Sequence, residues 1–233
     1  MKLDVFLTRT EGVGTLAHAG LRAQIAGGVI AAWSEPPFAG QFRLHVVRVS
    51  DAGERHLPLA DSQRARRAYA AAHAESDPYL LVDDDVLPGR FIQGGLPPGV
   101  DLDGRPWEKC PFARTDAIAE YLRTVFATHP KLAAAAPWII PDRGVGPRGV
   151  DGEKIRDRDL YRDDAIGWIR VVRRGVLPAR VSEMWPAVGA AYDGIEARYL
   201  RSRAWDLGTL WRWRAHHLGY RSTTVHADEK REF

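Results

Sequence analysis

PYLLVDDDVLP, Pro78 to Pro88, carries four apolar residues straight into three consecutive aspartates and then stops at a proline. An uninterrupted apolar run of this length, bounded by prolines, reads as a strand buried on both faces. Three adjacent carboxylates repel one another unless positive charge neutralises them, and a hard divalent cation with its phosphate ligands does that well. In extended conformation Asp83 and Asp85 point to one side and Asp84 to the other, so one pair can share a cation and its nucleotide while the third does separate work. The competing reading is a solvated turn in which the aspartates bond local backbone N–H groups.

Working outward, LDVFL (Leu3 to Leu7) and RLHVVRV (Arg43 to Val49) read as further buried strands, separated by an Ala-rich helical stretch from about Leu16 to Trp33. DSQRARRAYAAAHAES, Asp61 to Ser76, is a helix by its spacing: Ala65, Ala68, Tyr69 and Ala72 share one face, Arg64, Arg66 and Arg67 lie largely on others, and Asp61 or Ser62 would cap it. The order β-α-β-α-β predicts an α/β fold with a mostly parallel sheet covered by helices. ARTDAIAEYLRTVFATHP is expected to be a helix burying Ile118, Tyr121, Leu122 and Val125; strands are expected at Ala133 to Ile140 and within AIGWIRVVRRG; and helix is expected from Tyr192 to Gly219. The Gly- and Pro-rich stretch Gly89 to Phe112 reads as a substrate-facing lid, and Pro141 to Asp159 as a polar loop.

A chain of 233 residues with 45% hydrophobic and 27% charged residues suits one compact domain. The net charge of +3 is too small to name a polyanionic partner. Cys110 is the only cysteine, which excludes an intrachain disulfide and a four-cysteine zinc site. No apolar run is long enough to span a bilayer, so a cytoplasmic protein without an integral membrane segment is expected.

The succession of strand, helix, RLHVVRVSD, helix and then PYLLVDDDVLP resembles the GT-A-fold glycosyltransferases, in which a short Asp-x-Asp motif follows a central strand. RAWDLGTLWRWRAHHLGYRS, Arg203 to Ser222, is similar to the family-2 pattern in which an acidic residue opens a helix ending in Gly-Tyr-Arg, although Trp205 and Asp206 stand where that pattern has Glu-Asp. The resemblance implies a single GT-A-like, Rossmann-like domain, with residues 1–88 binding a nucleotide-sugar, UDP-sugar favoured, and residues 89–233 facing the acceptor. It implies Mn²⁺ or Mg²⁺ held by Asp83 and Asp85, with His226 of STTVHADE as a further ligand. Thr8, Arg9, Asp51, Asp83 and Asp84 would contact the nucleotide-sugar, and Asp206 would be the general base that takes the acceptor hydroxyl proton.

Other constellations compete. GVGTLA, Gly12 to Ala17, satisfies the G-x-G-x-x-A dinucleotide fingerprint, but four residues separate it from the preceding strand, and the acidic residue about 20 positions on, Glu35, precedes two prolines instead of ending a strand. A metal-dependent phosphoesterase would gather several His and Asp ligands from separate strands, and the sequence offers one H-x-D pair, His226 and Asp228, and no H-x-H pair. Arg198, Arg201, Arg203, Arg212, Arg214 and Arg221 interleave with Trp205, Trp211 and Trp213. That composition suits phosphate contact and base stacking, so the acceptor is expected to be a carbohydrate or a nucleic acid such as a modified DNA base, and a plain nucleic-acid-binding module is the alternative.

Overall fold

The structure is a computed structural model that describes residues 1–9, 16–48, 59–88, 117–140, 160–162, 169–183 and 192–217. Along the chain the elements are β1 (Leu3–Arg9), α1 (Leu16–Ser34), α2 (Phe38–Gln41), β2 (Phe42–Arg48), α3 (Leu59–His73), β3 (Tyr79–Asp83) and β4 (Val86–Leu87). They continue with α4 (Ile118–Thr128), β5 (Leu132–Ile140), β6 (Leu160–Arg162), β7 (Ile169–Val172), α5 (Tyr192–Ser202) and β8 (Asp206–His217).

Among the described residues the strands form one sheet in the order β2-β1-β3-β7-β5-β8-β4, with β6 also on β8. β1 pairs in parallel with β2 and β3, and β5 with β8, while β7 runs antiparallel between β3 and β5. β1, β2, β3, β5 and β8 therefore point one way, giving the mixed, mostly parallel α/β sheet expected from the strand-helix order.

Side-chain parity sorts the core into two layers. Leu3, Val5 and Leu7 of β1 and Leu80 and Val82 of β3 pack with Trp33, Phe38, Leu122 and Phe126 from α1, α2 and α4. Phe6, Tyr79, Leu81 and Val172 face the other way, against Ala68 and Ala70 of α3 and Ala197 and Leu200 of α5. Both faces are covered, which is why the strands read as continuous apolar runs.

The second layer holds charge. Glu196 Oε2 accepts hydrogen bonds from Arg67 Nε at 2.7 Å and Arg170 Nη1 at 2.9 Å, and the three side chains are 0%, 10% and 4% exposed. Arg66 and Arg67 are buried. For Arg67 a carboxylate from α5 makes that possible: its guanidinium exchanges water for a charge-assisted hydrogen bond. The buried Tyr79 hydroxyl and Glu196 Oε1 have no hydrogen-bond partner among the described residues. Burial, reinforced by the Glu196 charge and opposed by Arg170 and Arg67, drives the Tyr79 hydroxyl far above the usual tyrosine range.

At the amino edge of the sheet, Asp4 is fully buried and accepts from Arg43 Nε (2.6 Å), His45 Nε2 (2.9 Å) and the backbone N–H groups of Glu75 (2.8 Å) and Ser76 (2.9 Å). Burial pushes this carboxyl upward, but the hydrogen bonds from Arg43, His45, Ser76 and Glu75 prevail and hold it well below the usual range. The network ties β1 and β2 to the segment entering β3.

Two expectations fail locally. The α3 helix begins at Leu59, so Asp61 and Ser62 lie inside its first turn and neither caps it. The stretch from Tyr192 to Gly219 is only half helical: α5 ends at Ser202, Ala204 takes φ 59°, and β8 follows. The lid Gly89 to Phe112 and the loop Pro141 to Asp159 lie outside the described residues.

Candidate functional site at the carboxyl edge of the sheet

Parallel strands present their carboxyl ends on one edge, where the chain leaves the sheet and ligands bind in open α/β folds. β1 ends there with Thr8 and Arg9, and β3 with Asp83, directly opposite Thr8 in the parallel register. The Thr8 hydroxyl lies 3.2 Å from Asp83 Oδ1 and 3.3 Å from the Val82 carbonyl, so it ties the carboxylate to the neighbouring strand. Thr8 is buried and Arg9 half-buried.

Beyond Asp83 the backbone turns through Asp84 and Asp85 before β4. The aspartates are thus not all extended, and strict strand alternation does not govern them. Their burial nevertheless alternates: Asp83 and Asp85 are half-buried, and Asp84 is 3% exposed. A wet turn would leave the middle carboxylate in water, so its burial weighs against the solvated-turn reading. The Trp33 indole N–H donates to the Val86 carbonyl at 3.1 Å, holding the exit of the turn against α1.

β4 does not fold back on β3. It crosses to β8, where Val86 pairs with His217 and Leu87 with His216. The same end of β8 pairs with the end of β5, His216 standing opposite Ile140. The register therefore brings the backbone of His216 and His217 to the aspartate edge, a placement hidden by reading the segment as helix. The period-two pattern of WRWRAH, Trp211 to His216, is the strand signal that would have found it.

Asp206 is corrected by the same register. It opens a strand, not a helix, and its backbone N–H bonds to Lys131 at the amino end of β5. Tyr79, Val172, Ala134 and Leu207 share one level across the sheet. Asp83 lies four residues above that level and Asp206 one below, so about 3.3 Å per residue and three interstrand steps of about 4.8 Å separate them by roughly 20 Å. A general base must come within hydrogen-bond reach of its proton, and a base serving chemistry at Asp83 and Asp85 cannot stand there.

Of the remaining expected residues, Thr8, Arg9, Asp83, Asp84 and Asp85 are brought to one edge, whereas Asp51 and His226 lie outside the described residues. Glu35 follows α1 in a turn, away from any strand end, which agrees with setting the dinucleotide fingerprint aside. Among the described residues no group of three or more His, Cys, Asp or Glu side chains forms a metal cage. Two carboxylates are nevertheless donors suited to Mg²⁺ or Mn²⁺, ions commonly held through one or two carboxylates plus substrate phosphates.

No protein-family model matches the chain, and no curated protein matches it by sequence. Among solved structures, the chain is similar to A197 from STIV at 10% identity and a TM-score of 0.46, covering 93% of this chain and 85% of that one. It is similar to GalNAc-T7 with UDP, GalNAc and Mn²⁺ at 12% identity and 0.46, covering 93% and 43%. Apo UDP-glucose pyrophosphorylase aligns at 9% identity and 0.43, covering 91% of each chain.

Proposed function

We propose that the protein transfers a sugar from a nucleotide-diphosphate donor, with UDP favoured as the nucleotide, to an acceptor hydroxyl. The observation that carries this reading is Asp84, buried between half-buried Asp83 and Asp85 on the turn that leaves the carboxyl edge of a parallel sheet. Asp83 and Asp85 would hold Mn²⁺ or Mg²⁺ with the diphosphate. A cation there offsets the charge that develops on the leaving diphosphate. Thr8 fixes the orientation of Asp83, and Arg9, the last residue of β1, supplies positive charge on the same edge. The donor half then corresponds to residues 1–88. The end of β8, with His216 and His217, replaces Asp206 as the place where the acceptor-side half, residues 89–233, meets the donor.

The test is calorimetric titration of the protein with UDP, GDP, CDP and ADP, each with and without Mn²⁺. Binding of one diphosphate that requires Mn²⁺, and is lost in Asp83→Asn and Asp85→Asn, is expected. Equal binding by these variants, or metal-independent binding, overturns the assignment. Asp206→Asn is expected to bind donor and turn it over like the parent, and a collapse in its kcat would restore the base role to Asp206.

A further inference from the structure

Within the arginine- and tryptophan-rich segment, exposed Arg198 lies on α5, and Arg201 and Arg203 sit at the amino end of β8, on the edge of the sheet opposite the aspartates. Other strand ends add to that edge. Lys2 precedes β1, Lys131 precedes β5 and Arg174 follows β7, and all five side chains are exposed. The acids nearby are Asp4, bonded to Arg43 and His45, Glu75, paired with Arg43, and Asp77, which accepts from the Arg174 backbone N–H. Asp206 is half-buried at the start of β8. Arg173 is spent inside, donating to the carbonyls of Phe126, His129 and Leu132.

We infer that this amino edge, opposite the aspartates, is a docking surface for the phosphate backbone of a nucleic acid. From β1 through β3, β7 and β5 to β8 the cations span four interstrand steps, a row of about 19 Å. Arg174, Lys131 and Arg203 stand on three consecutive strand ends within about 10 Å of sheet width. A duplex presents one negative charge per about 1.7 Å of axis, so a row of this length meets several phosphates at once.

Two features favour nucleic acid over a lipid surface. The Arg203 guanidinium lies over the Tyr199 ring, 5.2 Å from its centroid, and Tyr199 and Trp205 pack against the core, so the aromatics beside the cations do not stand out to enter a bilayer. A membrane-binding face combines cations with apolar side chains that insert, whereas Met1 is the one exposed large apolar side chain among the described residues. The surface is independent of the chemistry at Asp83 and Asp85, so either can fail alone.

The experiment is fluorescence anisotropy of the full chain with a labelled DNA duplex of about 20 base pairs and with its single strand. Three to four neutralised phosphates predict that duplex affinity falls about 40- to 150-fold between about 50 and 200 mM salt. The Lys131→Glu, Arg174→Glu, Arg203→Glu variant should lose at least about tenfold in affinity and most of the salt slope, while Asp83→Asn binds DNA like the parent. Should the triple variant misfold, Arg203→Ala alone should lower the slope by about one. Salt-independent or absent DNA binding, a triple variant that binds normally, or binding to phosphatidylserine vesicles without binding to either oligonucleotide overturns the proposal.

Discussion

Replacing Glu196 with alanine removes a carboxylate bonded to two buried guanidiniums, Arg67 at 2.7 Å and Arg170 at 2.9 Å. Each contact is worth up to about 4 kcal/mol at the effective dielectric that suits protein sites, but most of that repays the desolvation of three charges. The cost of truncation is therefore set by what is left behind, two buried arginines that have lost this carboxylate, at about 3–5 kcal/mol. In a chain of this size that lowers Tm by roughly 6–20 °C. Differential scanning calorimetry with urea unfolding measures it, with Glu183→Ala as the control, because the Arg180–Glu183 pair is long at 3.6 Å and solvent-exposed. A second variant separates charge from packing: Arg67→Met, Arg170→Met, Glu196→Leu replaces the whole cluster with apolar groups and should recover most of the loss. A Glu196→Ala shift no larger than the control's, or a triple variant less stable than Glu196→Ala, would refute the reasoning.

The same layer predicts that Tyr79→Phe is neutral or stabilising by up to about 1 kcal/mol, because it deletes a buried hydroxyl that has no partner among the described residues; a clear loss in urea unfolding would mean that the hydroxyl is bonded. The depressed Asp4 carboxyl contributes stability in full above its unfolded value, near pH 4, and loses it as the pH falls through the lower folded value. Asp4→Asn should therefore destabilise the protein at neutral pH and flatten the acid limb of its stability profile, and parallel profiles for variant and parent would contradict the assignment.

Much of the scaffold was legible because it rests on local rules. The apolar runs at LDVFL and YLLVD read as buried strands and are, RLHVVR is a strand but stands half-buried at the edge of the sheet, and the spacing of Ile118, Tyr121, Leu122 and Val125 marked the buried face of α4. The aspartates were legible too, since their position after a β-α-β-α-β succession places them at a carboxyl edge. The segment after Ser202 was misread because helical resemblance outweighed its own period-two pattern. The meeting of Arg67 with Glu196 was not legible, because nothing in the neighbourhood of Arg67 announces a partner 129 residues away.

The sequence by itself determined the α/β class, the parallel run of β1, β2 and β3, and the presence of three carboxylates where those strands end. Local periodicity and the order of elements carry that information. The tertiary structure alone decided which distant groups meet: that β4 crosses to His216 and His217, that Asp206 and the exposed cations stand at the far edge, and that two arginines share a buried glutamate. Register and sheet order are long-range choices, settled by which pairing buries both faces at once, and a shift of strand order moves a residue from one site to the opposite edge without changing a letter.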